Sequence, residues 1–98
     1  MSNPSESVVN NREKQRFEVV SGSQVSKLDY RMPDEDTIDL VHTEVPEDLA
    51  GQGIGSALVT TALNYAKDND LKVIPSCPFV ASYIERHPKW KELVTEFK

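Results

Sequence analysis

Alternating apolar and polar positions fill the first half of the chain, and a helical period replaces them in the second half. The clearest alternation runs from Thr37 to Val45 and predicts an extended strand. Its period of two puts Ile38, Leu40, His42 and Glu44 on one face, and Asp39, Val41, Thr43 and Val45 on the other. A strand at 16–20, a Gly22-Ser23 turn and a returning strand at 25–31 precede it, which is typical of a hairpin. After a polar turn at 32–36, the third strand completes a predicted antiparallel meander.

The residues after this meander change to helical spacing. A helix is predicted from about Gly53 to Asn69, with a buried face made of Ile54, Ala57, Leu58, Thr61, Ala62, Tyr65 and Ala66. The short apolar segment 71–74 follows as a strand, parallel to Thr37–Val45 because a crossover helix joins the two. A second helix at 79–86 ends at His87-Pro88, and a last helical segment covers 90–97. This order predicts an α+β (mixed α/β) domain, in which a meander is followed by a βαβ unit and C-terminal helices.

The length and composition indicate one small globular domain over residues 15–98. Residues 1–14 are polar and predict a disordered tail that lacks the features of a secretory signal. The apolar runs are too short to cross a membrane, and the single cysteine suits a reducing compartment, so we expect a cytoplasmic protein without a membrane partner. The net charge of -5, from 11 basic and 16 acidic residues, argues against nucleic acid as a partner.

The loop before the first helix contains three glycines in five positions, Gly51, Gly53 and Gly55. Glycines at a helix start let a phosphate approach unpaired N–H groups at the positive end of the helix dipole. The spacing does not fit a dinucleotide fingerprint, because position 56 is serine, and no lysine follows Gly55 as in a P-loop. A tight strand-to-helix turn without a ligand explains the same glycines, and from the loop alone both interpretations stay open.

Four motifs in order resemble the minimal Gcn5-related N-acetyltransferases, small single-domain members of a larger family. They are Leu40–Pro46, the loop Val45–Leu58, Ile74–Cys77 and His87–Trp90. The resemblance covers nearly everything from residue 17 to the C-terminus, and it departs from the family at Ala50, where a Gln or Arg is preferred. It implies a trimmed acetyltransferase core that binds coenzyme A (CoA) where two parallel strands splay apart.

The resemblance also implies active-site roles for Cys77 and His42. Cys77 follows a predicted strand and precedes Pro78, so it is expected near the N-cap of the second helix, whose dipole favours a thiolate. Histidine as a residue type has an unperturbed pKa near neutral, which suits it to the role of taking a proton from an amine or of activating Cys77. An inert buried thiol and a locally hydrogen-bonded histidine are the structural alternatives. With the family's roles, both side chains are expected to converge beside the bound thioester.

Further residues are expected to bind acetyl-CoA or CoA. Loop N–H groups would hold the pyrophosphate, and the end of the third strand would lie beside the thioester carbonyl. Glu44 shares the predicted face of His42, about 6–7 Å along the strand, and could orient it or attract a cationic amine. Tyr83 matches a tyrosine that protonates the departing CoA thiolate in the wider family, with core packing as its alternative. Arg86, like Lys89 and Lys91, could meet the 3′-phosphate of CoA or simply be solvated. The expected cofactor-binding residues are Glu44, Val45, Gln52, Gly53, Ile54, Gly55, Ser56, Tyr83 and Arg86.

The activity implied by the resemblance is acetyl transfer from acetyl-CoA to a primary amine, such as a lysine of a protein or peptide. Cys77 either accepts the acetyl group first or lines the site while the amine attacks directly. The alternative function is a CoA-binding or protein-interaction module with little or no turnover, which Ala50 and the small size motivate. A small domain without any cofactor is a third interpretation. A monomer or weak dimer is expected.

Overall fold

Five strands form one mixed sheet, and their order in the sheet is their order along the chain. The computed structural model describes residues 8–95. The strands are β1 (Val9–Asn11), β2 (Arg16–Ser21), β3 (Gln24–Asp34), β4 (Thr37–Glu44) and β5 (Lys72–Ile74). The first four strands pair antiparallel, and β5 pairs with β4 in parallel, as the crossover helix requires.

Two α-helices follow the meander, α1 (Ile54–Asp68) and α2 (Pro78–Arg86). Short 3₁₀ helices cover Glu47–Leu49, in the loop before α1, and Pro88–Leu93, after α2. Pro78 occupies the first turn of α2, where its missing N–H costs nothing. Of the helices in the described part of the chain, none has the length and hydropathy of a membrane-spanning segment. The five-stranded mixed sheet and the two α-helices confirm the predicted α+β fold.

The hydrophobic core lies between α1 and one face of the sheet, which we call the inner face. Phe17, Leu28, Ile38 and Leu40 are fully buried on this face. The buried side of α1 differs from its predicted face, because Val59 and Leu63 are also fully buried and Thr61 and Tyr65 remain partly exposed. The buried residues of α1 are Ile54, Ala57, Leu58, Val59, Ala62, Leu63 and Ala66. The additional burial follows from α2 and the second 3₁₀ helix, which pack against α1 beside the sheet.

The predicted disordered tail is wrong for residues 8–14, because β1 lies there and pairs with β2. The polar side chains of this segment find partners inside the sheet. The Tyr30 hydroxyl donates to the Asn10 side-chain oxygen at 2.8 Å, and the Asn11 amide donates to Glu18 at 3.2 Å. Residues 1–7 of the predicted tail lie outside the described residues.

Two other boundaries differ from the prediction. The strand β3 continues to Asp34, so the turn before β4 shrinks, with the Asp36 N–H bonded to the Asp34 carboxylate at 2.9 Å. The last helical segment starts at Pro88 and ends at Leu93, after which Val94 forms a parallel bridge with Val73. The Thr95 N–H donates to the Val73 carbonyl at 3.0 Å, so the free edge of β5 captures this segment. Residues 96–97 of the prediction lie outside the described residues.

An irregularity in β4 changes which face its second half presents. Asp29 pairs with His42 and Tyr30 pairs with Leu40, so Val41 has no partner opposite it on β3. One extra residue of this kind is a β-bulge, and it reverses the alternation of the residues that follow. The predicted common face for Ile38, Leu40, His42 and Glu44 is therefore wrong.

Candidate active site

The strand β4 extends beyond its partner β5 and leaves one backbone edge open. Only residues 37–39 pair with β5, which places the following five residues of β4 beyond the parallel ladder. The Leu40 carbonyl accepts the Cys77 N–H at 2.8 Å, and this bond ties the start of α2 to the point where the two strands part. The open edge has the backbone groups that an extended ligand could pair with.

A cavity of about 390 Å³ lies between this end of β4 and the glycine loop. Its lining is uncharged and comes from β4, the loop, the first turn of α1 and the first turn of α2: Thr43, Val45, Leu49, Ala50, Gly51, Gly53, Ile54, Gly55, Ser56 and Phe79. Five of the expected cofactor-binding residues, Val45, Gly53, Ile54, Gly55 and Ser56, therefore line one cavity.

The glycines of the loop serve two different purposes. Gly51 (φ +85°) and Gly53 (φ +81°) hold left-handed backbone conformations that disfavour other residues, and a Cβ at either position would meet nothing within 4 Å. Gly55 is helical, and a Cβ there would lie 2.9 Å from the Phe79 ring. Space for a close ligand is thus open at the first two glycines, whereas the third admits an aromatic side chain of α2.

The N-terminus of α1 is left without a capping side chain. Its N-cap is Gly53, no acidic residue lies in its first turn, and the first intrahelical bond is from Ala57 N–H to Gly53 O at 3.0 Å. The N–H groups of the three residues before Ala57 therefore have no intrahelical partner. Together with the positive end of the helix dipole, they make this end of the cavity suited to an anion.

Cys77 lies directly behind the cavity wall, at the N-cap of α2 as predicted. Its side chain is 3% exposed, and its sulfur lies 3.3 Å from the Thr43 hydroxyl oxygen. Burial acts to raise the pKa of this thiol. The Thr43 hydroxyl and the backbone N–H groups of Val80, Phe79 and Thr43 outweigh burial, so the pKa of Cys77 lies below its ordinary value. The surroundings of Cys77 therefore favour the thiolate.

His42 and Glu44 lie on the opposite, outer face of the sheet. Their side chains are each 62% exposed, and His42 Nε2 lies 3.9 Å from a Glu44 carboxylate oxygen. Lys27, directly opposite Glu44 on β3, lies 3.9 Å from the same oxygen. The predicted convergence of His42 with Cys77 is not met, because the bulge at Val41 turns Thr43 toward the thiol and His42 away from it.

The remaining expected cofactor residues do not line the cavity. The Tyr83 hydroxyl is bound to Thr60 of α1 at 2.8 Å, and its ring stacks on His87 with centroids 4.2 Å apart. Arg86 is exposed and donates to the Ser82 carbonyl at 3.5 Å, and Gln52 is exposed in the loop. These contacts tie Tyr83 to the α1–α2 interface.

The expected cofactor-binding residues do not include five residues of the cavity wall, although Ala50 and Gly51 belong to the predicted phosphate loop: Thr43, Leu49, Ala50, Gly51 and Phe79. Strict alternation puts Thr43 on the wrong face, because nothing in the local sequence indicates the bulge. A signal does exist for Phe79, since a large aromatic residue beside Cys77 is expected either in the core or at a binding surface. In the structure it is 39% exposed and faces the glycine loop.

Comparisons with known proteins give a family model and several relatives of similar sequence. A model of the GCN5-related N-acetyl-transferases matches residues 16–93. The protein NATD1 of Xenopus tropicalis is 36% identical over 52 residues, which are 53% of this chain and 48% of that protein. Human NATD1 is 37% identical over 51 residues, which are 52% of this chain and 45% of that protein. This chain thus spans about half the length of the curated relatives it matches.

A solved structure extends the similarity to the whole chain. It is the solution NMR structure of a Staphylococcus aureus protein described as a candidate GCN5-like N-acetyltransferase. The TM-score is 0.73 at 26% sequence identity, and the match covers 100% of this chain and 94% of the other. The chain therefore belongs to the GCN5-related N-acetyltransferase family.

Proposed function

We propose that this chain transfers an acetyl group from acetyl-CoA to a primary amine. The observation that supports this most is the cavity between the open edge of β4 and the uncapped N-terminus of α1. Thr43 lines this cavity, and its hydroxyl oxygen lies 3.3 Å from the Cys77 sulfur. Donors for a phosphate and a strand edge for amide groups therefore lie at one cavity, close to a thiol whose pKa is lowered. The family membership favours the same activity.

The cavity residues fit CoA by the chemistry of their donors. The open space at Gly51 and Gly53 and the unpaired N–H groups of α1 would hold the pyrophosphate. The unpaired edge of β4 would take the amides of the pantetheine arm, and Val45 and Leu49 would contact its methylene groups. When bound, acetyl-CoA supplies an acetyl thioester.

Cys77 is the residue that we propose as the acyl acceptor in a two-step route. Its thiolate sulfur would bond to the acetyl carbonyl carbon as the carbon–sulfur bond to CoA breaks. The amine would then bond to the same carbon, lose its proton to a base and expel the Cys77 thiolate. An unpaired N–H group on the edge of β4 would stabilise the oxyanion in both steps. In the one-step route the amine attacks directly and Cys77 only lines the site.

His42 has a defined place in this proposal although it faces away from the thiol. On the outer face it can take the proton of an amine that approaches past the open edge of β4 from that side. Glu44 beside it would attract a cationic amine. Acetylation of a lysine in a protein or peptide would suit an exposed site of this kind.

A CoA-binding or interaction module with little turnover is the second candidate function. Two observations favour it: Ala50 contributes no long polar side chain to the loop, and Cys77 is almost fully buried. Both features would slow chemistry without preventing CoA from binding.

Three measurements on the full chain distinguish these functions. A rise in melting temperature with CoA is expected, because a ligand of the native state must stabilise it. Turnover is expected when a panel of lysine peptides and polyamines is added with acetyl-CoA. An acetylated Cys77 peptide after incubation with acetyl-CoA alone supports the two-step route. Binding without turnover on any amine favours the module, and the absence of a CoA shift contradicts both functions.

A further inference from the structure

A second cavity of about 230 Å³ lies between α1 and the 3₁₀ helix Pro88–Leu93. Unlike the first, it is lined by charged and hydrogen-bonding side chains. Those that bear on its chemistry are Thr60, Asn64, Lys67, Lys89, Trp90 and Glu92. Such a lining suits a polar or charged ligand.

Two lysines line this cavity, Lys67 and Lys89. Within residues 8–95, neither Lys67 nor Lys89 forms an ion pair with a carboxylate, although Glu92 also lines the cavity. The Lys89 ammonium lies 5.1 Å from the centre of the Trp90 ring, which holds it by a cation–π contact. The Asn64 amide donates to the Thr60 carbonyl at 3.1 Å and keeps its second N–H available. Two ammonium groups and an amide N–H are donors suited to a phosphate.

The position of these donors relates them to the first cavity. Ser56, Thr60 and Asn64 are spaced by four residues, so they form one stripe along α1 that runs from the first cavity into the second. Successive members of the stripe lie about 6 Å apart along the helix. The Lys67 side chain leaves the helix toward its N-terminus, as helical side chains do, and so reaches back along this stripe.

The two cavities differ in charge in a way that matters for CoA. Among the described residues that line the first cavity there is no lysine or arginine, so only N–H groups face the pyrophosphate there. CoA has a further phosphate monoester, the 3′-phosphate of its ribose. We propose that the second cavity binds this 3′-phosphate through Lys67 and Lys89, an assignment that rests on the proposed use of acetyl-CoA at the first cavity.

Binding constants for CoA and dephospho-CoA, which lacks the 3′-phosphate, test this assignment by isothermal titration calorimetry. The wild-type chain is expected to bind CoA about tenfold more tightly than dephospho-CoA, because two charge-assisted contacts are lost with the phosphate. The double variant Lys67→Gln/Lys89→Gln is expected to bind both ligands alike, at the wild-type affinity for dephospho-CoA. The control Lys14→Gln/Lys72→Gln removes the same charge from exposed positions outside both cavities and should keep the tenfold preference.

Two results would overturn the proposal. Equal wild-type affinity for CoA and dephospho-CoA contradicts it while leaving the proposed function intact, whereas no binding of either ligand contradicts both. A control variant that loses the preference as completely as Lys67→Gln/Lys89→Gln would show a general charge effect and would also contradict it. An added arm with inorganic phosphate separates the sources of the ligand: thermal stabilisation by phosphate that needs the two lysines, without any CoA preference, assigns the cavity to free phosphate instead.

Discussion

Neighbouring residues of β4 lie in opposite environments, because the inner face of the strand is buried and the outer face is exposed to solvent. On the inner face, Thr43 lies 3.3 Å from a buried sulfur and lines a cavity. On the outer face, His42 and Glu44 are 62% exposed and contact each other at 3.9 Å. The unpaired residue Val41 decides which side chain receives which environment. The difference teaches that the chemistry of this strand depends on backbone register as much as on residue type.

Insertion of one alanine after His42 is the strongest way to break this comparison. The insertion would reverse the alternation of the residues that follow it, which turns Thr43 away from the Cys77 thiol and Glu44 toward the core, where unpaired charge is costly. We expect the free energy of unfolding to fall by at least about 3 kcal/mol, measured by urea denaturation. Val41→Ala, which keeps the bulge, should cost about 1 kcal/mol at most. An insertion variant of wild-type stability would contradict the role given to the backbone register of β4.

Kinetics of Cys77→Ala and His42→Ala compare the two faces in the proposed reaction. We expect Cys77→Ala to lower kcat/KM by about a hundredfold or more, because it removes the acyl acceptor. The loss for His42→Ala should be smaller, about tenfold, because an exposed base can be replaced by solvent. Full activity of Cys77→Ala would exclude the two-step route. Equal losses in both variants would mean that the faces act as one unit.

Titration of the thiol sharpens the description of the inner face. Thr43→Val removes the hydroxyl that stabilises the thiolate, so the pKa of Cys77 should rise toward or above its ordinary value. Ultraviolet absorbance of the thiolate reports this directly, since the chain has one cysteine. In the wild type the absorbance should develop at lower pH than in the variant. Thr37→Val, at the other end of β4, is the matched control, and a titration unchanged in Thr43→Val would contradict the assignment.

A double-mutant cycle on His42 and Glu44 should give the smallest effect. Both side chains are largely exposed, and such pairs gain little from each other in water. We expect a coupling free energy of about 0.5 kcal/mol or less between His42→Gln and Glu44→Gln, measured by urea denaturation of the wild type, the two single variants and the double variant. A coupling well above this value would indicate an outer face that is less solvated than its exposure suggests.

The sequence alone predicts those structural elements whose signal lies in neighbouring residues. The alternation from Thr37, the helical spacing after Gly53 and the Cys77-Pro78 pair each predict an element or a cap that the structure confirms. The resemblance to the acetyltransferases adds the family, which no single periodicity contains.

The failures have tertiary causes. β1 is polar, and it is a strand only because β2 and Tyr30 supply its partners. Val59 and Leu63 fall outside the predicted buried face of α1, and they are buried because α2 and the second 3₁₀ helix cover that side. The bulge at Val41 depends on pairing with β3, so His42 could not be placed from its own strand.

The bridge between Val73 and Val94 protects the margin of the sheet. β5 is three residues long and is the last strand, so its outer backbone would be an open template for a strand from another molecule. The Thr95 N–H occupies the Val73 carbonyl on that side. The segment after the second 3₁₀ helix thus covers the edge of β5 and hinders edge-to-edge aggregation.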